Sequence, residues 1–349
     1  TYGGVSIFVV VFAAYPFAAE MFKAGNLPKR YIPATIVAGG ATFTMDALPG
    51  SPQIQNIIPT TFFKTDTWAA PWLGLIGGIF VCVVSLGYLI WLTKRAKARG
   101  DGYGQNLVNE PEPFSFEKLP HPLLALLPLL TVAVMNKLFS SNIIPAFYGK
   151  TVEFIPAVIG AGPPVVQEVQ KVIALWSVEL ALLCGIAVCL LTAWKTVAQK
   201  FSDGSKAAIN GAMLATMNTA TEYGYGAVIA ALPGFFIVAE MLKGIPDPLI
   251  NEAITVTTLA GITGSASGGL SIALAAMAET FMVSATAAGI PFEVLHRVAS
   301  MASGGMDSLP HNGAVITLLA VCGCTHRDSY PAIFGITLIK TFAVFFVIA

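Results

Sequence analysis

Charge is scarce in this 349-residue chain. Only 11% of its residues are Asp, Glu, Lys or Arg, against about 25% in a soluble domain, while 55% are hydrophobic. A soluble globular domain is excluded, and the chain reads as an all-α polytopic membrane protein. An excess of either sign is also missing: 19 basic and 19 acidic residues cancel, which argues against nucleic acid as a partner. Cysteine is sparse and unpatterned. Cys82, Cys184, Cys189, Cys322 and Cys324 lie in or beside apolar runs with no Cys-x-x-Cys, so they read as small hydrophobes, and no metal or cofactor is expected. No signal-peptide pattern precedes the first apolar run.

Apolar runs dominate what is present. A spanning helix needs about 20 apolar residues, and 5–21, 71–92, 122–139, 172–194 and 331–348 each suit one crossing. The densest basic run, Lys94-Arg95-Ala96-Lys97-Ala98-Arg99, places the linker 94–121 in the cytoplasm by the positive-inside rule. Residues 122–171 then read as a connecting span with an external, proline-rich connector. Residues 207–242 read as a helical hairpin, re-entrant from one side, with its polar tip at Asn218-Thr219-Ala220-Thr221-Glu222-Tyr223-Gly224. Three longer runs are interrupted: 32–63 at Asp46–Pro52, 254–288 at Gly264–Gly269, and 294–321 at Asp307–Gly313.

Two of those interruptions share a motif. Met45-Asp46-Ala47-Leu48-Pro49 returns as Met306-Asp307-Ser308-Leu309-Pro310, and Gly3-Gly4-Val5-Ser6-Ile7 as Gly268-Gly269-Leu270-Ser271-Ile272. Ala24–Pro28 matches Ala288–Pro291 and Pro71 matches Pro331, with an offset drifting from 265 to 260. Four matches in one order indicate two diverged copies, 1–93 and 172–349. The turn at 23–30 carries three basic groups where its counterpart, 289–293, carries Glu293, so the copies are expected to be inverted across the membrane. Inverted repeats with broken helices facing each other are the layout of secondary transporters, with a scaffold and a transport part. Copy two has residues 172–267 ahead of its Gly-Gly motif and copy one only Thr1 and Tyr2, so roughly 95 N-terminal residues are expected to be missing.

An acid at mid-membrane costs at least about 2.5–3.5 kcal/mol on insertion scales. For Asp46 and Asp307 two readings stand: capping a helix that restarts, or handling the coupled proton, for which Glu222 is a third candidate. Prolines at 49, 52 and 310 remove backbone donors and leave N–H ends suited to an anion. Gly50, Ser51, Gln53 and Asn56 in copy one, Ser308, His311, Asn312 and Gly313 in copy two, and Asn218, Thr219 and Thr221 in the hairpin tip are the expected substrate-binding residues. Gln53 and Gln55 cannot share a helical face, so one at most should point inward with Asn56. His311 reads either as a hydrogen-bonded packing residue or as a proton switch.

An enzyme is not expected: Gly264-Ser265-Ala266-Ser267-Gly268 centres no serine between glycines two away, so a nucleophile elbow is absent. A channel lacks its rings of like charge. The segment 44–60, Thr-Met-Asp-Ala-Leu-Pro-Gly-Ser-Pro-Gln-Ile-Gln-Asn-Ile-Ile-Pro-Thr, and Ala302–Gly313 in the second copy resemble the gluconate permease family of the ion transporter superfamily. That resemblance implies a proton symporter for hydroxylated monocarboxylates in a bacterial inner membrane, a homodimer working as an elevator. Leu48-Pro49-Gly50-Ser51-Pro52 departs from the Pro-Pro-His-Pro-Gly-Pro type break of the gluconate branch, so a smaller hydroxy acid such as 3-hydroxybutyrate is an equal expectation. A sodium-coupled carboxylate symporter and an anion channel are the alternatives.

Overall fold

The structure, a computed structural model, describes all residues except 3–6, 106, 112–120, 155–164 and 243, together with the side chains of some helical residues. The helices are α1 (Ile7–Ala24), α2 (Ile32–Gly40), α3 (Phe43–Asp46), α4 (Ile54–Phe63), α5 (Pro71–Ala98), α6 (Pro122–Leu138), α7 (Ile144–Phe147), α8 (Val169–Ala230), α9 (Pro233–Leu242), α10 (Pro248–Thr263), α11 (Ala266–Ala287), α12 (Phe292–Ser303), α13 (Gly313–Cys322) and α14 (His326–Ile348). A small antiparallel hairpin pairs β1 (Thr151–Phe154) with β2 (Val165–Glu168). The chain is thus an all-α polytopic membrane protein, with five described helices long and apolar enough to cross a bilayer. α5 shows why lipid is its solvent. It buries a stripe of mostly small residues at 74, 77, 78, 81, 85 and 89, yet Ile76, Ile79, Val83, Leu86 and Ile90 are exposed; a helix apolar all round suits a membrane.

Two compact units emerge. One comprises Phe114–Ala208: α6, α7, the β-hairpin and the leading part of α8. The other comprises Thr1–Pro113 and Ile209–Ala349 and holds both interrupted motifs.

Within the larger unit one order of elements occurs twice. α1, α2, a break, the ten-residue α4, a left-handed Lys64 (φ 58°) and the long α5 answer to α11, α12, a break, the ten-residue α13, a left-handed Gly323 (φ 60°) and α14. Their packing is exchanged: α4 lies on α11 and α12, while α13 lies on α1 and α2. Two cores result, one around Phe63, Leu259, Leu270, Phe281 and Val298, the other around Val11, Ile32, Val37, Leu318 and Ile333.

The hairpin stands elsewhere than the sequence suggested. Residues 218–224 run helically within α8, whose one non-helical residue is Ala193, and the chain turns at Ala231–Leu232 just before Pro233. The packed helix pair is instead α10–α11. Asp247 caps α10 by accepting from Leu249 N (3.0 Å) and Ile250 N (2.9 Å), and Gly264 ends it at φ +69°. Ser265 then accepts from Gly268 N (3.2 Å) and starts α11. Gly269 lets the helices close, because a Cβ there would fall on the backbone of Ala260.

A strap that includes Val108, Asn109 and Glu110 fastens the ends of these elements. Lys29 is buried and its Nζ reaches Val108 O (2.5 Å) and Glu110 (2.7 Å); Lys23 meets the other Glu110 oxygen at 2.8 Å. Tyr15 donates to Asn109 O (2.6 Å), and Asn109 donates to Ala320 O near the end of α13 (2.8 Å).

Candidate functional site

The first break begins where α3 ends at Asp46 and lasts until Gln53, with Gly50 at φ +75°. It is held by hydrogen bonds rather than by a ladder. Gly50 N donates to Thr67 O (2.8 Å), Ser51 Oγ to Tyr2 O (3.1 Å) and Gln53 Nε2 to Thr1 O (2.5 Å). Asn56, fully buried, donates to Ser51 O (2.7 Å) and Thr67 O (2.9 Å) and accepts from His296 Nε2 at 3.0 Å. Thr65 Oγ1 lies 2.7 Å from His296 Nδ1, so a neutral imidazole satisfies both neighbours.

The second break, between α12 and Asn312, is organised by α14. Thr337, Lys340 and Thr341 share one helical face: Thr337 bonds Ser308 Oγ (2.9 Å), Thr341 donates to Gly305 O (2.8 Å), and Lys340 pairs with Asp307. Asn312 caps α13 by accepting from Val315 N (2.9 Å) and donates to Gly264 O (2.6 Å) at the α10–α11 tip. His311 Nε2 donates to Gly261 O (3.1 Å). The first break is therefore tied to Thr1 and Tyr2, and the second to Gly261 near the end of α10 and to Gly264, its C-cap.

Three side chains join the two breaks. Lys340, besides Asp307, donates to Ala41 O (3.2 Å) ahead of the first break. Arg297, on α12 and without exposure, donates to Ala47 O (3.2 Å), a carbonyl left free by the end of α3, and to Thr67 O (3.3 Å) and Ala69 O (2.8 Å) between α4 and α5. Ser300 donates to Asp46 O (2.8 Å). The Asp46 carboxylate lies against Gly304 of copy two, within electrostatic reach of Lys340, Asp307 and Arg297, and its Oδ2 accepts no hydrogen bond among the described residues. Two carboxylates and two cations, all buried, thus sit where four half-helices end.

Of the two readings of the aspartates, capping is not met: α4 starts at Gln53 without a side-chain cap, and α13 is capped by Asn312. Gln53 and Gln55 are both buried, because Gln53 precedes α4 and the helical-face argument does not reach it. His311 is exposed rather than deep. Ser308, Asn312 and Gly313 are buried in copy two, as are Ser51, Gln53 and Asn56 in copy one, with Gly50 partly covered. These two groups are not merged: each faces its own tip, and the acids and cations lie between the copies. In the 218–224 segment Thr221 is exposed and bonds back to Met217 O (2.7 Å); the side chains of Asn218, Thr219 and Glu222 lie outside the described residues.

Sequence reasoning missed Lys340, Arg297, His296 and Glu252. The first three are polar residues inside apolar segments, the very signal that drew attention to Asp46, and could have been found by it.

No protein-family model matches the chain, and no solved structure matches it. The full length of the chain is 53% identical to a protein of Bacillus subtilis (strain 168) named uncharacterized transporter YxjC, of which it covers 75%.

Proposed function

Since the chain belongs to the transporter family represented by that Bacillus protein, we propose that it is a proton-coupled symporter of a small hydroxylated monocarboxylate, from a divergent branch of the gluconate permease family. The observation that carries this reading is the convergence of two broken helices on a buried charge set, Asp46, Asp307, Lys340 and Arg297. Formally those charges cancel. An anion entering alone would leave a net negative charge in the membrane interior, at a cost of several kcal/mol, and one proton travelling with it restores the balance. The breaks at Gly50–Ser51 and at His311–Gly313 are the places this reading gives the carboxylate, and Ser51, Gln53, Asn56, Ser308 and Asn312 suit hydroxyls. The reading extends to inverted repeats in a bacterial inner membrane and to a homodimeric elevator.

Uptake of labelled 3-hydroxybutyrate and gluconate into proteoliposomes tests it. Accumulation driven by an acidic exterior, abolished by a protonophore and unchanged when choline replaces sodium, is the expected result. Accumulation that follows sodium at fixed pH gradient would assign a sodium symporter instead. Currents beyond carrier turnover would assign a channel.

A further inference from the structure

Glu252 lies at the second turn of α10, one turn past the exposed Asp247 cap, and has no exposed surface. Both of its carboxylate oxygens lack a hydrogen-bond partner among the described residues. Its neighbours Ala253, Val256 and Leu259 belong to the apolar core, and the adjacent Asn251 spends its side chain on Ile245 O (3.0 Å) and Thr255 (3.1 Å). Among the described residues, the elements packed on α10, which are α9, α11, α12 and α14, bring no charge to Glu252. Glu240 on α9, Glu279 on α11 and Glu293 on α12 are exposed, as are residues 326–328 at the start of α14. His296, Arg297 and Lys340 are engaged by the first break and by Asp307.

An ionised carboxylate in such a place costs several kcal/mol, whereas a protonated one is a modest polar burial. Asp307 differs in having Lys340 as an ion-pair partner, and Asp46 in having Lys340 and Arg297 within reach; Glu252 has no such cation beside it among the described residues. Glu252 can lose its proton only if the start of α10 opens to water or to a cation. We infer that Glu252, rather than Asp46 or Asp307, is the residue that binds and releases the coupled proton. This rests on the symport reading above and deepens it.

The helix makes that binding consequential. Glu252 is 12 residues from Gly264, about 18 Å along α10 at 1.5 Å per residue. Gly264 accepts the Asn312 bond at the tip, and Thr257 donates to Ala302 O (3.0 Å) between the two points. A rigid helix with a proton site at one end and a substrate-facing tip at the other couples two sites without requiring that they touch. The step balances simply: the Glu252 carboxyl gives its proton to water on the side where α10 has opened, and the carboxylate regains one before α10 can reseat.

Glu252→Gln mimics the protonated form in size and polarity. In proteoliposomes loaded with 3-hydroxybutyrate, this variant is expected to keep substrate counterflow at the wild-type rate while pH-gradient-driven accumulation falls by roughly tenfold or more. A merely structural role would lower both together. Glu252→Asp, which keeps a titratable group, should restore part of the accumulation with a displaced pH profile. Undiminished accumulation by Glu252→Gln overturns the inference. An infrared difference spectrum between wild type and Glu252→Gln at neutral pH tests the proton directly and needs no substrate. A protonated-carboxyl carbonyl band belonging to Glu252 is expected, and its absence overturns the assignment. Wild-type vesicles that move neither 3-hydroxybutyrate nor gluconate would count against the symport reading, and the infrared band would still decide the protonation of Glu252.

Discussion

Lys340 and Asp307 form a buried ion pair between the last spanning helix and the second break, and the same ammonium also donates to Ala41 O ahead of the first break. One cation thus fastens both interruptions. Removing it strands a carboxylate, and breaking a buried pair from one side costs about 3–5 kcal/mol, whereas removing both ions is often near neutral. Lys340→Met should therefore lower the melting temperature in detergent strongly. The double variant Lys340→Met/Asp307→Asn should recover most of that loss while remaining inactive in uptake. Equal destabilisation by single and double variants would show that the pair does not act as a unit.

Gly304 is required by Asp46. Its φ of −78° is open to any residue, so the demand is steric: a Cβ would land on the Asp46 carboxylate. Overpacking a filled site costs about 1–3 kcal/mol, and Gly304→Ala should lose that much together with transport. In the Gly304→Ala background, Asp46→Ala should regain part of the stability. A simple sum of the two single losses, measured by thermal melting, would mean that the residues do not interact.

The breaks were legible in the sequence because their causes are local: Pro49, Pro52, Pro310 and an acid interrupt an apolar run wherever they fall. The α10–α11 turn is equally local, since Gly264 supplies a left-handed residue and Ser265 a cap. The polar run 218–224 has no comparable stop before Ala231, and Thr221 bonds back along the helix to Met217. Pairings across the fold had no local signature. Arg297 meets Ala47 across 250 residues and His296 meets Asn56 across 240. Glu252 stands five residues after a capping aspartate and reads in the sequence as an ordinary acid near the start of a helix.

The strap should be sensitive to acid. Burial alone would raise the Glu110 carboxyl, but hydrogen bonds and charge from Lys23 and Lys29 outweigh it and hold the group below its ordinary range. A carboxylate depressed in the folded state stabilises fully above its unfolded value, and that contribution disappears as pH falls through the folded value. The stability difference between wild type and Glu110→Gln should be constant from neutral to mildly acidic pH, on the order of 1 kcal/mol for a partly exposed cluster. It should shrink below about pH 4.3. A difference that grows on acidification would contradict the assignment.

Ser51 and Asn312 occupy the same place in the two motifs, 261 residues apart, as Asp46 and Asp307 do. Their structural duties are unequal. Asn312 caps α13 and holds the α10–α11 tip through Gly264, whereas Ser51 donates to Tyr2 O and accepts a longer bond, 3.3 Å, from Gln53 N. Loss of a cap together with a buried hydrogen bond amounts to about 1–3 kcal/mol, and loss of a single hydroxyl to about 1 kcal/mol. Asn312→Ala should accordingly melt at a lower temperature than Ser51→Ala. Uptake should follow another order. Where both breaks contribute to one substrate site, each variant raises KM for 3-hydroxybutyrate by a similar factor, although only one strongly lowers stability. Wild-type kinetics in Ser51→Ala, beside a crippled Asn312→Ala, would place the substrate in copy two alone and leave the first break as scaffold.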